Sequence, residues 1–170
     1  MGLDSELYRL AVEAGDALKA RGWMLVTAES CTGGWAAEAV TMVSGSSGWF
    51  ERGFVTYTNL AKQEMLGVQT ATLESHGAVS EPTVREMVAG ALARSRGDVA
   101  LAVSGVAGPT GGTPAKPVGM VCLGWGLRDR EPTAVTRHFG GDREAIRRHA
   151  VIASLEGLLE LLNAAGAAGV

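Results

Sequence analysis

Apolar positions recur in two rhythms along this chain of 170 residues. Leu7, Leu10, Ala11, Ala14, Ala17 and Leu18 share one stripe at helical spacing, which predicts a packing helix over 5–20 closed by Gly22. The apolar run from Trp23 to Glu29 then reads as a strand, and 35–43 as a helix that stops at the flexible turn Ser44-Gly45-Ser46-Ser47-Gly48. A second strand is expected over 52–57, followed by a short helix, 59–66, stopped by Gly67. Ser80 caps a helix with Pro82 in its first turn and Val84, Met87, Val88, Ala91 and Leu92 on its buried face, running to about Arg96.

The run 98–103 is almost wholly apolar, as a central strand covered on both faces must be. Two more strands, 117–126 and 133–139, flank the polar turn Arg128-Asp129-Arg130-Glu131, which implies an antiparallel pairing. Gly140-Gly141-Asp142-Arg143 opens a last helix striped by Ile146, Ala150, Val151, Leu155, Leu158, Leu159 and Leu162, with a frayed Ala/Gly-rich tail from about 164. Five strands alternating with helices give an α/β domain: a three-layer α/β/α sandwich around a mixed, mostly parallel five-stranded sheet, one domain over 1–170. Polar loops should gather at the carboxyl ends of the parallel strands.

Composition narrows the function. A chain that is 46% hydrophobic supports one sizeable core, and a net charge of −3 with scattered Lys and Arg offers no basic footprint for nucleic acid. Cys31 and Cys122 stand alone and His76, His138 and His149 are dispersed, which fits reduced thiols in a cytoplasmic protein and lacks the spacing of a zinc site. Asp4 and Glu6 interrupt any signal-like apolar core, and no apolar stretch approaches the ~20 residues that cross a bilayer, so no membrane partner is expected. The 24 glycines are about twice ordinary usage and cluster at Gly33-Gly34, Gly105–Gly112 and Gly140-Gly141.

The strand-to-helix corner Ala28-Glu29-Ser30-Cys31-Thr32-Gly33-Gly34 is the first place to look for chemistry. The opening turn of a helix has backbone N–H groups without partners and partial positive charge, a setting for an anion or an oxyanion. Two readings stand: Ser30 or Thr32 merely caps the helix while the glycines permit close packing, or Ser30 is a nucleophile. Cys31 is the rival nucleophile, more reactive in itself and set at the same helix start; a small buried side chain is its other reading. Glu29 either orients Lys62 or caps a backbone amide. Tyr57 and Lys62 bracket a second strand-to-helix corner.

Six ordered motifs, AESCTGG at 28–34, GFVTYTN at 53–59, GAVS at 77–80, SGVAGP at 104–109, KPVG at 116–119 and GDR at 141–143, resemble the C-terminal domain of the CinA competence/damage-inducible family. The resemblance covers about residues 5–163. It implies an α/β/α domain that hydrolyses the carboxamide of nicotinamide mononucleotide to nicotinate mononucleotide and ammonia, with neither cofactor nor metal. It assigns Lys62 and Tyr57 as the partners of Ser30, a Ser-Lys arrangement with Tyr as proton relay. Lys62 should then be buried, because only a disfavoured ammonium makes lysine a base near neutral pH. Should Lys62 not be the base, Tyr57 or His76 is the next candidate.

Substrate-binding and oxyanion groups are expected at Cys31, Thr32, Gly33, Gly34, Asn59, Gly105, Ala107, Gly108 and Arg143, with Arg143 or the glycine loop on the phosphate. Thr110 and Pro114-Ala115 depart from the family pattern. Two other functions remain open: a non-catalytic nucleotide-sensing or scaffolding module, and an amidase for another small amide. A homo-oligomer is also expected, with Trp35, Trp49 and Phe50 as an apolar contact patch.

Overall fold

The computed structural model describes residues 4–167. Helix α1 spans Ser5–Arg21; Asp4 caps it by accepting from the Leu7 N–H at 3.3 Å, and Gly22 ends it. Strand β1 (Leu25–Glu29) is buried throughout, then α2 (Trp35–Thr41) and a 3-10 turn (Ser46–Gly48) lead to β2 (Phe50–Val55). Three helices follow: α3 (Asn59–Leu66), capped by the Thr58 hydroxyl, α4 (Thr70–His76), and α5 (Glu81–Ala93), capped by Ser80. The chain continues through β3 (Val99–Gly105), β4 (Met120–Leu127), β5 (Thr133–His138) and the long α6 (Arg143–Ala167).

The sheet order is β2-β1-β3-β4-β5. β1 pairs in parallel with β2 and β3, and β4 runs antiparallel to β3 and β5, so four of the five strands point one way. Helices α1, α2 and α6 cover one face of the sheet over a core that includes Leu25, Leu101, Val103 and Leu123. On the other face α5 packs on Val26, Ala28, Ala100, Ala102 and Cys122, with Leu66 and Leu73 from α3 and α4 beside it. This is the expected three-layer α/β/α domain. Connections leave β1 and β2 toward opposite faces, which opens a crevice beyond the carboxyl ends of β1 and β3.

Several boundaries differ from the expectation, each for a local reason. β2 begins at Phe50 and leaves the ladder after Val55, because Thr56 and Tyr57 turn toward α3. β4 starts at Met120, past Pro117, whose nitrogen has no hydrogen to give the ladder. Helix α4 was not foreseen: only Leu73 among its residues is buried, so it carries no apolar stripe. Helix α5 stops at Ala93, whereas α6 continues through Ala164 to Ala167 where fraying was expected; the last part of that tail lies outside the described residues. Trp49 corrects the proposed contact patch. Its side chain is fully buried in the core against Gly15, where an added Cβ would stand 2.8 Å from the indole, while Trp35 and Phe50 are half-buried.

Candidate active site

Strand β1 delivers the corner. The Ser30 N–H extends the parallel ladder to the Val103 carbonyl at 3.0 Å, after which the chain tightens, with Gly33 N–H donating to the Ser30 carbonyl and Trp35 N–H to that of Thr32. Gly34 takes a φ of 100°, a left-handed conformation that a side chain would strain. The N-terminus of α2 is already occupied from within. The buried Glu29 carboxylate accepts from the N–H groups of Ala36 at 2.8 Å and Ala37 at 3.0 Å, and from the Thr32 hydroxyl at 2.6 Å. Glu29 is therefore a helix cap reaching across from the strand. Thr32, Gly33 and Gly34, expected at the substrate, instead build the corner and do not line the cleft.

The cleft encloses about 270 Å³ at the carboxyl ends of β1 and β3. Ser30, Cys31, Tyr57, Asn59, Lys62, Gly105, Ala107, Gly108 and Arg143, all named from the sequence, line it. Ala78 and Val79, between α4 and α5, add an apolar wall, and Ser104, Val106, Thr110 and Gly111 complete the lining. His76 does not line it; its backbone carbonyl accepts from Lys116, which ties the KPVG segment to the end of α4.

Lys62 comes from the first turns of α3 and is only 1% exposed. Its Nζ lies 3.0 Å from Ser30 Oγ, 3.0 Å from the Thr56 carbonyl and 3.4 Å from the Tyr57 carbonyl. Burial holds the ammonium below its ordinary value of 10.5, and among the described residues no carboxylate is bonded to it to restore the charge. A neutral amine has two N–H donors and one lone pair. Here the two carbonyls can take the donors, and the lone pair is left for the hydroxyl of Ser30. Burial pushes the Cys31 thiol up to about 11, so its thiolate is scarce at neutral pH.

Tyr57 lines the cleft with its phenol turned toward Arg143. Its phenol oxygen accepts from Arg143 Nη2 at 3.1 Å, and the part of the residue near Ser30 and Lys62 is its carbonyl. Arg143 also donates to the Gly108 carbonyl at 2.7 Å, tying the glycine loop to α6. One residue was missed altogether. Arg147, one turn further along α6, donates to the carbonyls of Cys31 at 3.0 Å and Thr32 at 3.1 Å and stacks over Trp35. An arginine bonded to main-chain oxygens more than a hundred residues away carries no local pattern, so nothing in the sequence marks it.

Fold and site together define a three-layer α/β/α domain that sets a serine hydroxyl against a buried lysine at the carboxyl edge of its sheet. The chain belongs to the CinA C-terminal domain family, whose profile matches residues 7–162. It is 53% identical over 155 residues to the nicotinamide-nucleotide amidohydrolase PncC of Escherichia coli K12, covering 91% of this chain and 94% of that protein. To the protein of the same name from Pseudomonas putida it is 54% identical over 152 residues, covering 89% and 94%. The crystal structure of a competence/damage inducible protein from Agrobacterium tumefaciens superposes with a TM-score of 0.92 at 45% identity, covering 96% of this chain and 99% of that one.

Proposed function

We propose that this protein hydrolyses the carboxamide of nicotinamide mononucleotide to nicotinate mononucleotide and ammonia, with Ser30 as nucleophile and Lys62 as its base. The observation that carries the reading is the 3.0 Å contact from Lys62 Nζ to Ser30 Oγ in a buried setting that disfavours the ammonium. The names of the relatives at 52–54% identity support the substrate.

Ser30 Oγ attacks the carboxamide carbon and gives its proton to Lys62. Lys62 returns that proton to the departing nitrogen, ammonia leaves, and an ester on Ser30 remains. Water then attacks the ester, passing a proton through Lys62 back to Ser30 Oγ, and the carboxylate product is released. Backbone N–H groups at Cys31 and along Ala107-Gly108 are the donors for the oxyanion. Ala78, Val79 and Val106 offer apolar surface to the pyridine ring. Arg143, with most of its N–H groups still free, holds the phosphate.

Ammonia release from nicotinamide mononucleotide by the purified protein, with nicotinamide riboside and nicotinamide alongside, tests this. Turnover restricted to the mononucleotide is expected. Equal turnover of free nicotinamide would make the protein a general small-amide amidase, and no ammonia from any of the three would leave a nucleotide-sensing module.

A further inference from the structure

Ser104 is a polar residue in the ladder of a central strand, paired with Cys122 of β4. It lies on β3, and because Glu29 pairs with Val103 in the parallel register, Ser104 is the next residue opposite Ser30. Alternation along the strands sends both side chains to the same face of the sheet, the one carrying Ala28, Ala102 and Cys122. Neighbouring strands are ~4.8 Å apart, so the two residues stand side by side at the end of the sheet.

Ser104 is 1% exposed, yet none of the side-chain hydrogen bonds among the described residues uses its hydroxyl. Thr27, the other unpartnered hydroxyl of the sheet, is sealed in the interior, whereas Ser104 faces the cleft. The Ser104 oxygen is not among the sealed unpartnered atoms, so it opens onto the cleft, where a ligand group can bond it. Ser30 Oγ already has Lys62 Nζ at 3.0 Å and the Tyr57 carbonyl oxygen at 3.4 Å, whereas the Ser104 hydroxyl is left to the substrate.

We propose that Ser104 is a catalytic residue that binds the nitrogen of a primary carboxamide; this rests on the amide-hydrolase reading given above. Its oxygen accepts one N–H of the carboxamide as the carbon sits over Ser30. That contact fixes which end of the amide faces which wall, and turns the nitrogen lone pair that develops in the tetrahedral intermediate toward the ammonium of Lys62. Lys62 supplies the proton, the C–N bond breaks, and ammonia leaves from the Ser104 side. An ester oxygen in place of the nitrogen has no hydrogen to give Ser104, so the contact selects amides.

The test compares wild type with Ser104→Ala, Ser104→Val and Ser104→Thr on nicotinamide mononucleotide and on the methyl ester of nicotinate mononucleotide. Ala and Val should lose about tenfold in kcat/KM on the amide and no more than about twofold on the ester, the loss expected for one hydrogen bond. Thr should restore the amide rate relative to Val, which has the same shape without the hydroxyl. Equal amide rates for Val and Thr, or equal losses on amide and ester, overturn the assignment to Ser104 while leaving amide hydrolysis intact. A wild type that releases no ammonia from the mononucleotide overturns both readings.

Discussion

Arg143 donates across the mouth of the cleft to the phenol oxygen of Tyr57, at 3.1 Å. The phenol therefore belongs with the substrate's entrance, and its remaining hydrogen is free to meet an anion. Tyr57→Phe is expected to keep kcat within about threefold and raise KM, whereas Arg143→Ala should raise KM for the mononucleotide about tenfold or more with a smaller change in kcat. Steady-state kinetics on the mononucleotide, with the riboside as a competing inhibitor, check this: the inhibition constant of the riboside, which lacks the phosphate, should be indifferent to Arg143. A fall in kcat of ~10²-fold in Tyr57→Phe would instead return the phenol to the proton path.

Ser30→Ala should abolish turnover without disturbing the fold, since the Ser30 N–H, which bonds Val103, is retained. Cys31→Ala should remain active, because a thiol held up near 11 is no competitor at neutral pH. Mass spectrometry of the protein mixed with substrate and quenched early should find the acyl adduct on Ser30. An adduct on Cys31 would reverse the two roles.

The Lys62 ammonium is held below 10.5 by burial, and only the deprotonated amine accepts a proton from Ser30. Activity should therefore climb with pH as Lys62 loses its proton, on a limb lying below that ordinary value. Lys62→Arg should lose ~10²- to 10⁴-fold and the limb with it, because guanidinium stays protonated at any workable pH. An Arg variant that kept both rate and limb would remove Lys62 as the base.

Gly90 sits where α5 crosses the end of α3, and a Cβ there would stand 1.9 Å from the Leu66 carbonyl oxygen. Gly90→Ala should cost about 1–3 kcal/mol through overpacking, a fall of ~2–4 °C in Tm for each kcal/mol in a domain of this size. Since α3 carries Lys62, activity should fall further than stability alone explains. Thermal melts and rates measured well below Tm separate the two effects.

Periodicity alone revealed most of the layers. The stripes of α1, α5 and α6 and the apolar run of β3 are legible because each buries one face or two. Helix α4 was invisible because a helix held by a single buried leucine has no stripe to read. Trp49 misled because its burial depends on Gly15, a residue on another element whose missing side chain makes the room. The Ser30–Lys62 contact was reached through family resemblance, since the pattern around Lys62 equally fits a solvated helix. Glu29 stayed between two readings and Arg147 went unnoticed for one reason: backbone atoms, which every residue possesses, are among the partners of the first and are the hydrogen-bond partners of the second.

The carboxylate of Glu29 on the amides of Ala36 and Ala37 has a consequence for solution chemistry. A corner that carries its own counter-ion recruits none from the buffer. Sulfate or inorganic phosphate finds the Ala36 and Ala37 amides already taken, and among the described residues the exposed cation in the cleft wall is Arg143. Inhibition by such ions will therefore be competitive with the nucleotide's phosphate and will fade as ionic strength rises, while the reacting serine stays indifferent to the choice of salt.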